Sequence, residues 1–376
     1  MAVTRPPRVD PGAWERARDV LCVRLDGLGD MLMTGPAIRA LAEAGPSVRR
    51  VAVLASPAGV EAARLLPGVA ESIVYRAPWV ASGEPPGPAT DRAMIEELDR
   101  RRFDAAAVFT VNTQSALPAA LLCHLAGIPR RLAHVRENPY GVVTDWVPEP
   151  ETGNAQRHEV RRQLDLVGHV GAHTARTQLS VRISRDATAR ALAAVCAAGV
   201  AVERPWLVVH PGATAASRRY PPELFARAAD LLARDGWQIV LTGDAEDVGV
   251  AGVMASAMLQ RPMSLVGRLG FEELAAVVAS TSVVVSNNTG PAHVAAAVGT
   301  PVVDLYALTN PQHAPWGVPH RLLFHDVPCR NCYRSECPEG HHACLRQVPP
   351  ESIAEAVCEL VSDRPHATAM HATAQG

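Results

Sequence analysis

The chain has 376 residues with 36 basic side chains against 38 acidic ones, and every basic residue is an arginine. The absence of lysine excludes Schiff-base, pyridoxal-phosphate and Walker-type chemistry, so any anion must be held by arginine forks or backbone N–H groups. A net charge of −2 gives no basic footprint for nucleic acid. The length predicts two domains, and no run approaches the roughly 18 apolar residues of a membrane span.

Short Val-, Leu- and Ile-rich runs alternate with helical patterns. Residues 1–12 are polar, with no secretory apolar stretch, which predicts a cytoplasmic protein. Val20–Leu25, Val51–Ala55, Ile73–Tyr75, Ala105–Thr110 and Arg131–Val135 read as strands. Helices are predicted over Pro36–Ala44 with Pro36 in the first turn, Ala58–Leu66, Asp91–Arg101 and Gln114–Ala126. Pro78–Pro88 has the composition of a surface loop. An arginine-rich helix at His158–Val167 and a connecting stretch at Ser184–Arg204 lead to a second series. Its strands are Leu207–His210, Gln238–Thr242, Met263–Val266, Val283–Ser286 and Val302–Tyr306; its helices are Pro222–Arg234, Val248–Met258, Phe271–Ala279 and Gly290–Val298. Repeated βα units predict an α/β fold with mostly parallel sheets, divided into residues 1–183 and 184–376. Ligand-binding residues should therefore follow the strands. Cys22, Cys123, Cys196 and Cys358 stand in apolar surroundings, as buried inert thiols do.

The first strand leads into R-L-D-G-L-G-D, Arg24 to Asp30. A third glycine of a dinucleotide fingerprint would fall at Leu32, and no acid follows the second strand, so the likeness to a nicotinamide site is superficial. Asp30 remains as a carboxylate able to take a proton from a hydroxyl, or to cap the next helix. After the first strand of the second series come His210-Pro211-Gly212-Ala213-Thr214 and Arg218-Arg219, suited to a diphosphate. Gly243 and Glu246 follow the next strand, where a carboxylate could bond a ribose. Asn288-Thr289-Gly290-Pro291, with His293 a turn later, opens a helix whose free N–H groups suit an anion.

These segments resemble the heptosyltransferase family, glycosyltransferase family nine. The resemblance rests on Asp30 in its motif, G-P-A-I-R-A-L at 35–41, H-P-G-A at 210–213, R-R-Y-P-P-E-L-F at 218–225, L-T-G-D-A-E at 241–246 and N-N-T-G-P-A-H at 287–293, and it runs from about residue 18 to 362. It implies a GT-B fold, two Rossmann-like βαβ domains facing a central cleft, with the acceptor on the N-terminal domain and the nucleotide sugar on the C-terminal one. It also implies inverting, metal-independent transfer, with ADP-heptose as the usual donor and a lipopolysaccharide-core glycolipid, other cell-surface molecule or secondary metabolite as acceptor. Asp30 then matches the catalytic base. Thr214, Arg218, Gly243, Glu246, Leu269, Asn288, Thr289, Gly290, Pro291 and His293 match donor contacts. Arg218 stands where the family commonly has lysine, and Asn288 where it often has aspartate, which leaves the donor sugar open. Peripheral contact with the inner face of the cytoplasmic membrane is implied by a glycolipid acceptor. The alternatives are another nucleotide sugar, a protein acceptor, or a non-catalytic nucleotide-sugar-binding protein.

Cys329, Cys332, Cys337 and Cys344 form an insert at 329–344 with His341 and His342 inside it. Four thiolates suit a structural Zn or Fe in a reducing compartment, with free or redox-active thiols as the alternative. No cofactor is expected for catalysis. Arg64, Arg130, Arg131, Arg157, Arg161 and Arg162 are candidate contacts for an acidic acceptor.

Overall fold

The computed structural model describes residues 11–45, 49–80, 85–149 and 157–362. The chain divides into two compact units, Met1–Ser184 with Asn310–Gly317, and Arg185–Thr309 with Val318–Gly376. The return of Asn310–Gly317 to the first unit has no signal in the sequence. The segments at residues 1–10 and, within the Pro78–Pro88 loop, 81–84 lie outside the described residues.

The first unit contains α1 (Pro11–Arg16), β1 (Asp19–Arg24), α2 (Leu28–Glu43), β2 (Arg50–Ala55), α3 (Val60–Leu65), β3 (Val69–Val74), α4 (Pro88–Arg101), β4 (Ala105–Phe109), α5 (Leu117–Leu125), β5 (Arg130–Val135), β6 (Asp145–Pro148) and α6 (Glu159–Gly168). Its six strands are all parallel in the order β3-β2-β1-β4-β5-β6. Such sheets are covered on both faces, so β1 and β4 are buried along nearly their whole length, as near-continuous apolar strands require.

The second unit contains α7 (Arg185–Ala197), β7 (Trp206–His210), α8 (Pro222–Arg234), β8 (Gln238–Leu241), α9 (Val248–Ala257), β9 (Met263–Ser264), α10 (Phe271–Ser280), β10 (Val284–Asn287), α11 (Gly290–Val298), β11 (Val302–Leu305), β12 (His320–Leu323), α12 (Ala343–Arg346) and α13 (Pro350–Ser362). Its order, β12-β11-β10-β7-β8-β9, is also all parallel. Numbered from each unit's own first strand, both sheets have the doubly wound order 3-2-1-4-5-6, which reverses between the first and fourth strands. The loops after β1 and β4, and after β7 and β10, are therefore where each unit can accept a ligand.

Three expectations need correction, and two strands went unread. The helix expected from Pro36 begins at Leu28, and Pro36 lies inside it. The run Met31 to Leu41 is buried throughout, and that packing outweighs the hydrogen bond the proline removes. The connecting stretch Ser184–Arg204 contains α7, whose buried stripe of Ala187, Ala191 and Val195 repeats every four residues. Strands β6 and β12 are only four residues long and gave no readable pattern. Cys196 and Cys358 are exposed, because each follows the buried Val195 or Val357 by one residue, about 100° round its helix. Cys22 and Cys123 are buried as expected.

Tyr220 joins three parts of the second unit. Its ring meets Phe225 edge-on at 4.8 Å, its hydroxyl donates to the Val348 carbonyl at 2.8 Å and its N–H donates to Asn287 Oδ1 at 2.9 Å. Tyr220→Phe should cost about 1 kcal/mol by leaving that carbonyl unpaired. The check is urea denaturation, with a lower midpoint at an unchanged m-value.

Candidate functional site

In the first unit, Arg24 closes β1 with its side chain fully buried. Its Nε lies 2.8 Å from Asp26, its Nη2 3.1 Å from Asp30 and its Nη1 3.2 Å from Glu159. Burial opposes the guanidinium's charge, but the three carboxylates outweigh it and raise its pKa. Glu159 is buried too, yet Arg24 and Arg162 hold its carboxyl below the usual range. It also accepts from Gln163 Nε2 at 2.6 Å. Asp26 is raised, by burial first, against the pull of Arg24.

Asp30 occupies the first turn of α2, whose N-cap is Gly27. It is therefore not the cap of that helix. Its side chain keeps a quarter of its surface exposed, in contrast to Asp26 and Glu159. A carboxylate fixed on one side by a buried cation and open on the other can orient and deprotonate a hydroxyl.

Of the arginines considered for an acidic acceptor, Arg131 and Arg162 are spent on the fold. Arg131 is buried and donates to the carbonyls of Val142, at 2.6 Å, and Gly141, at 2.9 Å. Arg162 grips Glu149 through Nε and Nη2, at 2.5 and 2.8 Å, and donates to the Thr110 carbonyl. Arg157 pairs with Asp165 and Arg64 with Glu61, and Arg161 lies over Trp316.

In the second unit the loops after β7, β8 and β10 converge on two hubs. Asn287 is fully buried; its amide donates to the Pro211 carbonyl at 2.8 Å while its Oδ1 accepts from Tyr220. Asp247, which the sequence reading passed over, packs across Gly212 and Gly243. A Cβ at either glycine would overlap its side chain, so both glycines permit a close approach. The signal was present in the run Gly243-Asp244-Ala245-Glu246-Asp247, but nothing local shows which acid turns inward. Burial pushes His210 down to about 4, so its contact with Asp247 at 3.5 Å is made by a neutral imidazole at neutral pH.

The adjacent arginines have different tasks. Arg219 Nε donates to the Ala213 carbonyl at 2.6 Å and supports the loop. Arg218 reaches the Asn288 carbonyl at 3.5 Å through Nη1, and its buried Nε has no hydrogen-bond partner among the described residues. Thr289 is the N-cap of α11 without a side-chain cap bond, with Gly290 and Pro291 opening the helix, so the Thr289 side chain leaves the first-turn N–H groups to other acceptors. Asn288 and His293 are buried, Thr214 and Glu246 are exposed, and Gly243 and Leu269 lie between these extremes. Thr214, Arg218, Asn288 and Thr289 thus follow the two strands at the switch point of this sheet. Gly243 and Glu246 follow β8, and Leu269 precedes α10.

The cysteine-rich insert rests on the turn that carries Arg218. Ser217 donates its N–H to Ser335 O at 3.0 Å and its hydroxyl to Arg334 O at 2.6 Å, and His342 Nε2 lies 2.8 Å from the Ser217 carbonyl. Asn331, Tyr333 and His342 all take left-handed φ values there, a conformation non-glycine residues adopt only when surrounding contacts enforce it. The Cys344 thiol is raised, by burial first. Among the described residues no three His, Cys, Asp or Glu side chains form a group that could hold a metal ion.

A family model for glycosyltransferase family 9 (heptosyltransferase) matches residues 92–343. The chain belongs to this family. Among its relatives is lipopolysaccharide heptosyltransferase 2 of Salmonella typhimurium, 25% identical over 283 residues that make up 72% of this chain and 79% of the relative. A family 9 glycosyltransferase structure from Veillonella parvula superposes with a TM-score of 0.79 at 19% identity, covering 96% of this chain and all of that one. The Escherichia coli ADP-heptose lps heptosyltransferase II structure gives 0.72 at 22% identity, covering 92% and 98%. These likenesses confirm the fold, a GT-B pair of Rossmann-like α/β domains. The family membership makes the chain a glycosyltransferase. No helix among the described residues is long and apolar enough to cross a membrane.

Asp304 on β11 stands apart from the other acids of the second unit. It is fully buried, neither oxygen has a hydrogen-bond partner among the described residues, and burial raises it well above the usual range against the pull of Arg218. The unfolded group ionises near pH 4 while the folded one stays protonated to higher pH, so folding loses stability as pH rises through that interval. Asp304→Asn should remove the loss. Thermal unfolding of both proteins from pH 3 upward should show no difference at the acid end. Above about pH 4 the variant should gain, by up to about 1.4 kcal/mol per pH unit, until the folded carboxyl ionises.

Proposed function

We propose that this family 9 enzyme transfers heptose from ADP-heptose, with inversion and without a catalytic metal, to a hydroxyl of a lipopolysaccharide-core, other cell-surface or secondary-metabolite acceptor. The observation that carries the reading is Asp30, a partly exposed carboxylate fixed by Arg24 beyond the end of β1. Asp30 would take the acceptor proton as the hydroxyl attacks the anomeric carbon. The leaving nucleotide diphosphate gains negative charge, which the first-turn N–H groups of α11 and the Arg218 guanidinium would stabilise. Thr214, Thr289, Gly290 and Pro291 would line the diphosphate, Glu246 would bond the ribose, and Gly243 and Leu269 would border the base. Asn288 and His293 would act from beneath the loop. The names of the relatives, lipopolysaccharide heptosyltransferases, support heptose and a glycolipid acceptor. A glycolipid acceptor would place the enzyme in the cytoplasm at the inner face of the membrane. Asn288 favours a second reading, the same chemistry with a different nucleotide sugar, because an amide both donates and accepts where a carboxylate only accepts. We further propose a structural role for Cys329, Cys332, Cys337 and Cys344; among the described residues they form no metal-holding group as arranged here, so zinc or iron, the ions their thiolates suit, would have to draw them together.

Mass-spectrometric assay of transfer from ADP-, GDP- and UDP-sugars should single out ADP-heptose. Asp30→Asn should lower that transfer by about 10²–10⁴-fold with ADP affinity, measured by calorimetry, essentially unchanged. Full activity in the variant would overturn the assignment. Arg218→Lys keeps the charge but loses the fork, and donor affinity should fall about tenfold. Elemental analysis of the purified protein should find about one zinc or iron per chain; no stoichiometric metal would remove that part of the proposal.

A further inference from the structure

The first unit holds a cavity of about 300 Å³ at its own switch point, built from residues that follow three of its strands. Asp26 follows β1, Thr110 and Gln114 follow β4, and Trp79 lies beyond β3. The walls are otherwise mostly apolar, including Phe109 and Ala119, and among the described residues no arginine or histidine lines the space. The Trp79 ring is held edge-on to Tyr75 at 5.8 Å, and the Tyr75 hydroxyl donates to Asp91 at 2.7 Å, so one aromatic wall has support behind it. Asp26 and Asp30 pair with neighbouring nitrogens of Arg24, which sets the cavity beside the carboxylate read above as the base.

We propose that this cavity is the acceptor pocket and that it selects an uncharged, hydroxylated ring with one apolar face. The inference rests on the reading of Asp30 as the base. A volume at the floor of the small-molecule range has room for one ring and not for a branched chain. The apolar ring face lies against Trp79, while Asp26 and Gln114 bond the ring hydroxyls. A phosphorylated or carboxylated ring is rejected on charge. One buried guanidinium is shared among Asp26, Asp30 and Glu159, and the second cation of that cluster, Arg162, is held by Glu149 and Glu159. An anion entering beside Asp26 therefore meets excess negative charge, and among the described residues no cation on the cavity wall.

The test uses the full-length protein with phenyl α-D-mannopyranoside and its 6-phosphate as probes, with binding followed by saturation-transfer NMR. The neutral glycoside should bind, and the phosphate should bind at least about tenfold more weakly. Ala119→Phe fills the cavity; Ser115→Trp, at an exposed position on its rim, obstructs the entrance without burdening the core. Each should weaken the neutral glycoside about tenfold or more and leave ADP affinity, which belongs to the second unit, unchanged. Equal or tighter binding of the phosphate, no binding of the neutral glycoside, or indifference to both substitutions would overturn the pocket. Loss of the Asp30 reading has its own signature, full transfer by Asp30→Asn, and leaves these binding results unaffected.

Discussion

A guanidinium with no access to water sits among three carboxylates, and the first domain is organised round that fact. Arg24 belongs to β1, Asp26 to the loop after it, Asp30 to α2 and Glu159 to α6. Glu159 extends the cluster to Arg162, which reaches Glu149 after β6 and the carbonyl at the end of β4. Desolvating these ions is costly, and the loss is recovered only with every partner in place; removing one would strand charge in the interior at several kcal/mol. The ends of three strands and two helices are thus bound into one electrostatic unit. The residue proposed to do the chemistry is its most exposed member.

Much of this was legible in the sequence because parallel sheets declare themselves. Strands buried on both faces read as continuous apolar runs, and the βα alternation leaves few topologies. Asp30, Arg218 and the segment Asn288–His293 could be proposed because they stand in the stretches that follow strands. What could not be read depends on partners distant in sequence. Glu159 looks like an ordinary helix N-terminal acid until Arg24 arrives from 135 residues away. Asp247 and Asp304 are single acids among many, distinguished only by where the fold encloses them. Pro36 misled because local preference placed a helix start where packing continued the helix.

The two domains use the same topology for different electrostatics. In the first, carboxylates outnumber the cations at the switch point. In the second, hydrogen-bonded loops present a helix N-terminus and one arginine, with Asp304 on the neighbouring strand β11 raised by burial. One surplus suits accepting a proton and the other suits binding an anion. The absence of lysine from the chain therefore matters most at Arg218, where a planar fork must be aimed.

That aim depends on the cysteine-rich insert, which grips Ser217, the neighbour of Arg218, through three hydrogen bonds. A long arginine side chain on a free turn would sample many rotamers and lose that freedom on each encounter with ligand. A turn clamped from behind has given up part of that entropy during folding, so the binding step no longer bears it. The insert is thereby a device for rigidity: a looser backbone behind Ser217 would let the Arg218 guanidinium sample more rotamers, and the proposed grip on phosphate would be slower and less selective.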